Sequence, residues 1–288
     1  MLNQVRLLKK YAIRVRGHLG QHLLMDPNTV RKIVDGLELA AGEPVLEIGP
    51  GLGALTAEFL VRGHSVIAVE KDPKFVEILQ TEIAPEFPGL LEIVRGDILK
   101  CDLTKVLRER NVPLPVKAAS NLPYYISTPI LFHLIEHRAC FHSAVLMMQK
   151  EVAARMTAKP RTEDYGRLSV SSSVFGKTQT LFDVSPKCFL PAPEVTSRVI
   201  RYVFERGHVS GEEKALLDVI RIAFSERRKT LLSLLSKQLR PEKGREELAM
   251  VFGRLGLSLN ARGEELTTAQ FRQLLASRIQ GKAEPPED

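Results

Sequence analysis

Nine residues, Val45 to Gly53 (VLEIGPGLG), restrict this chain more than any other stretch. Val45, Leu46 and Ile48 have the apolar character of a buried strand end. Gly49, Gly51 and Gly53 remove side chains from the turn that follows, and Ala54 to Leu60 reads as a helix. A strand, a glycine turn and a helix in that order let the backbone approach a ligand closely. Glu47, two residues before the first glycine, argues against a turn built for phosphate alone, because like charges repel, and suits a cationic ligand. The next strand, Ser65 to Val69, ends in Glu70, 17 residues past Gly53. That is near the offset at which a carboxylate meets a ribose hydroxyl pair. The stretch therefore fits a nucleoside with a nearby positive charge and no pyrophosphate, as in S-adenosylmethionine. Gly49, Gly51 and Ala54 also satisfy the dinucleotide fingerprint G-x-G-x-x-G/A, so on these residues alone that alternative stays open.

The surrounding chain alternates strands and helices. Asp26 is placed to cap a helix that starts at Pro27, and Asp72 one that runs from Pro73 to Ile83. Strands are expected at Ser65–Glu70, Leu91–Val94, Val116–Ser120 and Ala144–Met148, with a helix at Thr128–Glu136. Such alternation implies a parallel sheet with helices on both faces, and a ligand crevice at the carboxyl ends of its strands. Glu47, Glu70, Asp97 and Asn121 all fall at such ends. After Lys150 the pattern changes to a hairpin-rich edge, read as strands over Leu168–Phe175, Thr180–Val184 and Val195–Phe204. From Gly211 it is helical, at about Glu212–Phe224, Arg228–Leu239, Arg245–Phe252 and Thr267–Ile279. The expected divisions are a basic N-terminal arm over 1–25, an α/β domain over 26–208, a helical domain over 209–280 and a disordered tail over 281–288.

Composition excludes some classes. No apolar run approaches the ~20 residues of a membrane span, and the N-terminus lacks the pattern of a secretory signal. Cys101, Cys140 and Cys188 are far apart, which suggests neither a zinc site nor a disulfide framework and agrees with a reducing, cytoplasmic setting. His133 and His137 are four apart on a helix, but Leu134 stands where H-E-x-x-H needs Glu, so no metal site is expected. The formal charge is +7, and its distribution matters more than its size. Residues 1–32 carry seven Lys/Arg against Asp26, and residues 221–245 carry eight against Glu226 and Glu242, so the remainder of the chain is acidic. Two concentrated basic patches point to a polyanionic partner.

The second decisive stretch is Asn121-Leu122-Pro123-Tyr124. An adenine amino group must become more pyramidal before it attacks a methyl group. A side-chain carbonyl that accepts one hydrogen, and a backbone carbonyl held by a proline turn that accepts the other, favour that shape. An aromatic ring beside them gives the base a face to stack on, worth ~1–3 kcal/mol. Asn121, the Leu122 carbonyl and Tyr124 supply these parts. With EIGPG, Glu70 and GDIL at 96–99, NLPY resembles the S-adenosylmethionine-dependent adenine N6-methyltransferases of rRNA. More narrowly, the chain resembles the KsgA family of small-subunit rRNA adenine dimethyltransferases. Supporting stretches are GQHLL at 20–24, MQKEVAARM at 148–156, YGRLSV at 165–170, FLPAPEVTS at 189–197 and AFSERRKTL at 223–231. The match runs from about Gly20 to Leu275.

The resemblance implies a Rossmann-like class I methyltransferase sheet with a small all-helical C-terminal domain. It implies two methyl groups on each of two adjacent adenosines near the 3′ end of small-subunit rRNA, with the assembling subunit as partner and a monomeric enzyme. His22 and Leu24 stand where the family's N-terminal motif meets the cofactor. Gly49 lies under its methionine part, Glu70 holds its ribose and Asp97 meets its adenine; Glu47 and Gly51 are further cofactor-binding candidates. Asn121 bridges cofactor and target, and Tyr124 and Phe189 sandwich the target adenine. RNA contact is expected from Arg227, Arg228 and Lys229, and from Lys9, Lys10, Arg14 and Arg16. One departure is His22, where many members have Asn. Two rival readings remain: an Erm-type large-subunit methyltransferase, against which NLPY rather than NIPY and the RRKTL stretch argue, and an RNA-binding assembly factor without catalysis, against which intact Glu70, Asp97 and NLPY argue.

Overall fold

The predicted caps form. The Asp26 carboxylate accepts from the Thr29 amide at 2.8 Å and starts α2 (Pro27–Asp35), and Asp72 accepts from the Lys74 amide at 2.8 Å and starts α4 (Pro73–Ile78). Each places proline in the first turn, where a missing N–H costs nothing. The computed structural model describes residues 3–13, 15, 22–226, 228–238 and 244–279. Gln21, Arg14, Arg16, Arg227 and the expected tail at 281–288 lie outside them.

The chain divides into two units: residues up to Ala153 with Gly176–His208, and Ala154–Phe175 with the chain from Val209. The first holds a seven-stranded sheet. Its strands are β2 (Val45–Ile48), β3 (Val66–Glu70), β4 (Leu91–Arg95), β5 (Val116–Asn121), β6 (Phe141–Gln149), β7 (Gly176–Val184) and β9 (Ser197–Phe204), in the order β4-β3-β2-β5-β6-β9-β7. The first five strands are parallel, and β9 runs antiparallel to both β6 and β7. Every residue of β2 and β3 is buried, as strands covered on both faces must be. Order reverses between β2 and β5, which is where open parallel sheets bind ligands. Ala119, Val145, Met147 and Val199 carry the core through the sheet to Ile33 and Phe59 on α2 and α3 (Ala54–Val61). A short pair, β1 (Leu23–Leu24) against β8 (Phe189–Leu190), is separate from the sheet.

The first residues do more than carry charge. Gln4–Lys10 form helix α1, whose Leu7 is buried with Leu52, Phe75 and Ile78. The described part of the expected basic arm over 1–25 thus includes a short helix anchored by Leu7.

After α5 (Leu103–Glu109), α6 (Ser127–Glu136) and α7 (Lys150–Thr157) in chain order, the second unit is helical: α8 (Arg167–Phe175), α9 (Gly211–Ala223), α10 (Leu231–Gln238), α11 (Gly244–Arg254) and α12 (Thr268–Ile279). α9 begins with a capping box between Ser210 and Glu213. Tyr165 and Phe271 flank Phe224, and the Tyr165 hydroxyl donates to the Leu266 carbonyl at 2.7 Å. Leu168–Phe175, expected as a strand, belongs to a helix of this unit. Its valines and phenylalanine carry a strand signal, but Ser172, which is buried, and Ser173, which is exposed, turn their hydroxyls back onto the helix's own carbonyls. Ser172 bonds Leu168 O at 2.7 Å and Ser173 bonds Val170 O at 2.9 Å. Small buried serines let the helix pack closely, and packing overrides propensity. The strand starts only at Gly176, where a Cβ would run into the Val203 carbonyl and the Tyr202 ring.

Candidate active site

The glycine turn adopts the left-handed backbone that its sequence invites, with φ of +64° at Gly49, +58° at Gly51 and +81° at Gly53. A Cβ at Gly53 would also press on Ile83 and Leu79, so only glycine fits there. The Gly49 amide bonds Val69 O at 2.9 Å, which joins the turn to β3. Glu70, at the end of β3, accepts from the Gly51 amide at 3.1 Å and the Asp72 amide at 2.8 Å. Burial pushes its pKa up, and those backbone amides act in the opposite direction. Glu47 is 2% exposed and accepts from Thr56 Oγ1 at 2.6 Å. Burial first, and the nearby Glu70 charge after it, push Glu47 up to about 8, against the lowering effect of Thr56. The raised pKa favours the protonated form of Glu47, and a cation beside it would favour the charged one.

Opposite this wall, Ser120 Oγ donates to Ile48 O at 2.6 Å and ties β5 to the end of β2. Asn121 follows, and its Nδ2 donates to the His22 carbonyl at 3.0 Å. A carbonyl can only accept, so this bond fixes the amide orientation and leaves Asn121 Oδ1 as its acceptor. Leu122 is buried, with its amide on Met147 O at 3.0 Å, and Pro123 turns the chain into Tyr124. The Tyr124 hydroxyl meets Ser197 Oγ at 2.6 Å, and the His22 ring stacks on the Tyr124 ring with centroids 5.2 Å apart.

One cavity of about 130 Å³ collects most of the predicted residues: His22, Leu24, Glu47, Gly49, Gly51, Glu70, Asn121, Leu122, Pro123 and Tyr124 all line it. Two are placed otherwise. Asp97 is held by Lys71 Nζ at 2.9 Å and the Leu99 amide at 3.1 Å, and the Lys71 ammonium keeps its carboxyl below the ordinary range. The Phe189 ring is 5% exposed and belongs to the core cluster of Leu24 and Val30. In the β1–β8 pair Phe189 stands opposite Leu24, and it is not among the residues that line this cavity. Sequence reasoning missed Gln4, which lines the cavity and donates to Leu24 O at 2.7 Å, and the buried Ser197. A run of basic residues masked the first, and the second is a serine like any other in the chain. A larger cavity of about 280 Å³ runs beside α1, α2 and α3, and none of the predicted cofactor or catalytic residues lines it.

Among the basic residues, Lys9 is exposed, whereas Lys10 pairs with Glu82, which also accepts from the Tyr11 hydroxyl at 2.6 Å. Arg228 and Lys229 are exposed in the turn before α10, not in the helix expected from Arg228. Thr230 caps that helix, taking the Leu234 amide on its carbonyl at 3.1 Å and the Ser233 amide on its hydroxyl at 3.3 Å. Arg228 lines an open hollow with Arg161 and Arg262.

A family model described as Ribosomal RNA adenine dimethylase matches residues 12–277. A Magnetococcus marinus protein named Ribosomal RNA small subunit methyltransferase A is 41% identical over 93% of both chains, and one of the same name from Alkaliphilus oremlandii is 38% identical over 92% of both. Among solved structures, a dimethyladenosine transferase from Plasmodium falciparum superposes with a TM-score of 0.76 at 27% identity, covering 90% of this chain and 98% of its own. The 23S rRNA methyltransferase ErmE gives 0.66 at 24% identity, with 90% and 100% covered, and shares the fold. With the parallel sheet, the glycine turn and Asn121 beside Tyr124 in one cavity, these likenesses place the chain in the ribosomal RNA adenine dimethylase family.

Proposed function

We propose that this chain uses S-adenosylmethionine to dimethylate the N6 amino groups of two adjacent adenosines near the 3′ end of small-subunit rRNA. The small-subunit reading is favoured over the Erm-type one by the curated relatives, which carry the small-subunit name at higher identity than ErmE has. The observation that carries the adenine chemistry is the orientation of Asn121: its amide nitrogen is engaged by His22 O, so its oxygen is left to accept from an amino group.

The cofactor, when bound, supplies an electrophilic methyl group on a sulfonium with an excellent leaving group. The residues present fit it: a bare glycine turn, a buried carboxyl whose charged form a cation would favour, and Glu70 at the strand end for a ribose. Glu47, Gly49, Gly51 and Glu70 would hold it, with Leu24 beside them and Asp97 at the far end. The enzyme then works by positioning and by hydrogen bonds that suit the transition state better than the ground state. Asn121 Oδ1 and the Leu122 carbonyl accept the two amino hydrogens while Tyr124 stacks on the base. Flipping the adenine out costs a few kcal/mol, partly offset by that stack. No strong base is needed, because a methylated amino nitrogen is acidic enough to lose its proton to solvent.

The helical unit is read as an RNA-binding domain that acts with Arg228 and Lys229, and Lys9 adds to the electrostatic attraction. The partner is the assembling small subunit, met by a monomeric enzyme in the cytoplasm. No helix among the described residues is long and apolar enough to cross a membrane. The test is incubation with tritiated S-adenosylmethionine and a mixture of unmethylated small and large subunits, followed by mapping of the modified bases. Label on two neighbouring adenosines of the small-subunit RNA is the expected result. Label on large-subunit RNA alone, or none, would overturn the reading. A short hairpin carrying the same adenosines should react more slowly than the partly assembled subunit at equal concentration and salt. Equal rates would remove the assembling subunit as the partner.

A further inference from the structure

His22 is fixed at three points. Its carbonyl accepts from Asn121 Nδ2 at 3.0 Å, its ring Nδ1 lies 2.8 Å from the Pro191 carbonyl, and the strand that begins one residue later pairs Leu23 with Leu190 and Leu24 with Phe189. The Pro191 carbonyl can only accept, so Nδ1 carries the hydrogen. Held in this way, the ring lies on one face of Tyr124 with centroids 5.2 Å apart and planes inclined by 30°, an offset stack. The other end of Tyr124 is fixed as well, its hydroxyl meeting the fully buried Ser197 Oγ at 2.6 Å. Ser197 opens β9 and pairs with Gln149 and Val184, so it sits on two neighbouring strands at once.

We propose that His22 and Ser197 are positioning residues for the target adenine: His22 backs one face of Tyr124 and sets the amide orientation of Asn121, and Ser197 fixes the Tyr124 hydroxyl. A ring anchored at its edge and on one face has one face left to receive a base. The three anchors of His22 make it a backing wall, not a placeholder that the base displaces, because displacement would break the bond to Pro191. This assigns His22 to the target side of the site as well as to the cavity that would hold the cofactor. The inference rests on the adenine methyltransferase reading.

The test uses the full chain with His22→Ala, His22→Phe, Ser197→Ala and Tyr124→Phe. Ser197→Ala and Tyr124→Phe should each lower kcat by roughly fivefold, about the value of one net hydrogen bond. The double variant should be no worse than either single one, because both remove the same contact. His22→Ala should lower kcat at saturating cofactor by roughly tenfold, again on the scale of one lost contact, in addition to whatever cofactor affinity it loses in calorimetry. His22→Phe, which keeps a ring on Tyr124, should recover most of that loss. A substrate-free readout separates this inference from the function it rests on. In ¹³C-tyrosine-labelled enzyme the Tyr124 ring signal should shift in both His22→Ala and Ser197→Ala, as a released ring loses its neighbour's ring current and averages over orientations. An unmoved Tyr124 signal, additive losses in the Ser197 and Tyr124 pair, or a His22→Ala defect confined to cofactor affinity would each overturn the proposal. Absence of methyl transfer by the wild type would instead remove the function.

Discussion

The two walls of the cavity are built in opposite ways. The wall of β2 and β3 is local and made largely of backbone. Glu47, Gly49, Gly51 and Glu70 come from one strand-turn-helix-strand unit, and the carboxylate of Glu70 is bonded to the amide of the very turn it faces. The wall of β5 is assembled from a distance. Asn121 and Tyr124 are neighbours in sequence, but they are held by His22, 99 residues from Asn121, and by Ser197, 73 residues from Tyr124. A backbone wall tolerates side-chain change wherever it needs no side chain, and a long-range wall fails at each of its anchors. Ligand recognition on the first and orientation of the reacting amino group on the second should therefore separate in mutants.

The largest separation should come from Asn121→Ala. Removing an acceptor aimed at the reacting group should lower methyl transfer by roughly two orders of magnitude or more, with RNA affinity within a few-fold. Rates on small-subunit substrate beside filter-binding affinities check this. Dimethylation at near wild-type rate would leave the second wall without its central contact. Next is Glu70→Ala, expected to weaken cofactor binding in calorimetry by about 1.5–3 kcal/mol. The upper end is expected, because the variant also frees the Gly51 amide. Unchanged affinity in a folded variant would detach the first wall from the cofactor.

Glu47 sharpens the comparison through pH. Its folded pKa of about 8 lies above its ordinary value of 4.5. The native state therefore holds a proton that the unfolded state has already lost between those values. Stability from this group falls as pH rises from about 4.5 through 8, with a slope of at most ~1.4 kcal/mol per pH unit for one proton. Denaturation of the cofactor-free protein at several pH values should show this slope, and Glu47→Gln should flatten it. A variant with the wild-type slope would place the titrating group elsewhere. The smallest effect should lie outside both walls: neutralising Arg228 or Lys229 should flatten the plot of log RNA affinity against log salt by somewhat under one unit each, with cofactor affinity unmoved. A salt slope identical to wild type would return that turn to an ordinary solvated surface.

How much of this could be read in advance follows the same division. VLEIGPGLG, Glu70 and NLPY were legible because each carries its meaning within a few residues: positive φ calls for glycine, and a strand end calls for a carboxylate or an amide. Leu168–Phe175 has the local pattern of a strand, and its helix declares itself only through the carbonyls that Ser172 and Ser173 bond. The stacking role that the motif implies for Phe189 belongs to a residue of the β1–β8 pair, which joins residues far apart in the chain. Gln4 was hidden in a run read only for its charge.

The sequence by itself determined the alternation of strands and helices, the glycine turn, the two carboxylates and the Asn-Leu-Pro-Tyr turn, and with them the chemistry that the site can support. Such features are fixed by backbone sterics and by spacing of a few residues, which a chain carries wherever it folds. Only the tertiary structure decided that Glu47 is buried enough to raise its pKa, that Asn121 is oriented by a carbonyl from the N-terminal segment, and that Tyr124 is fixed between His22 and Ser197. Burial, amide orientation and ring stacking depend on neighbours that strand order brings together, and no short stretch of sequence contains its own neighbours.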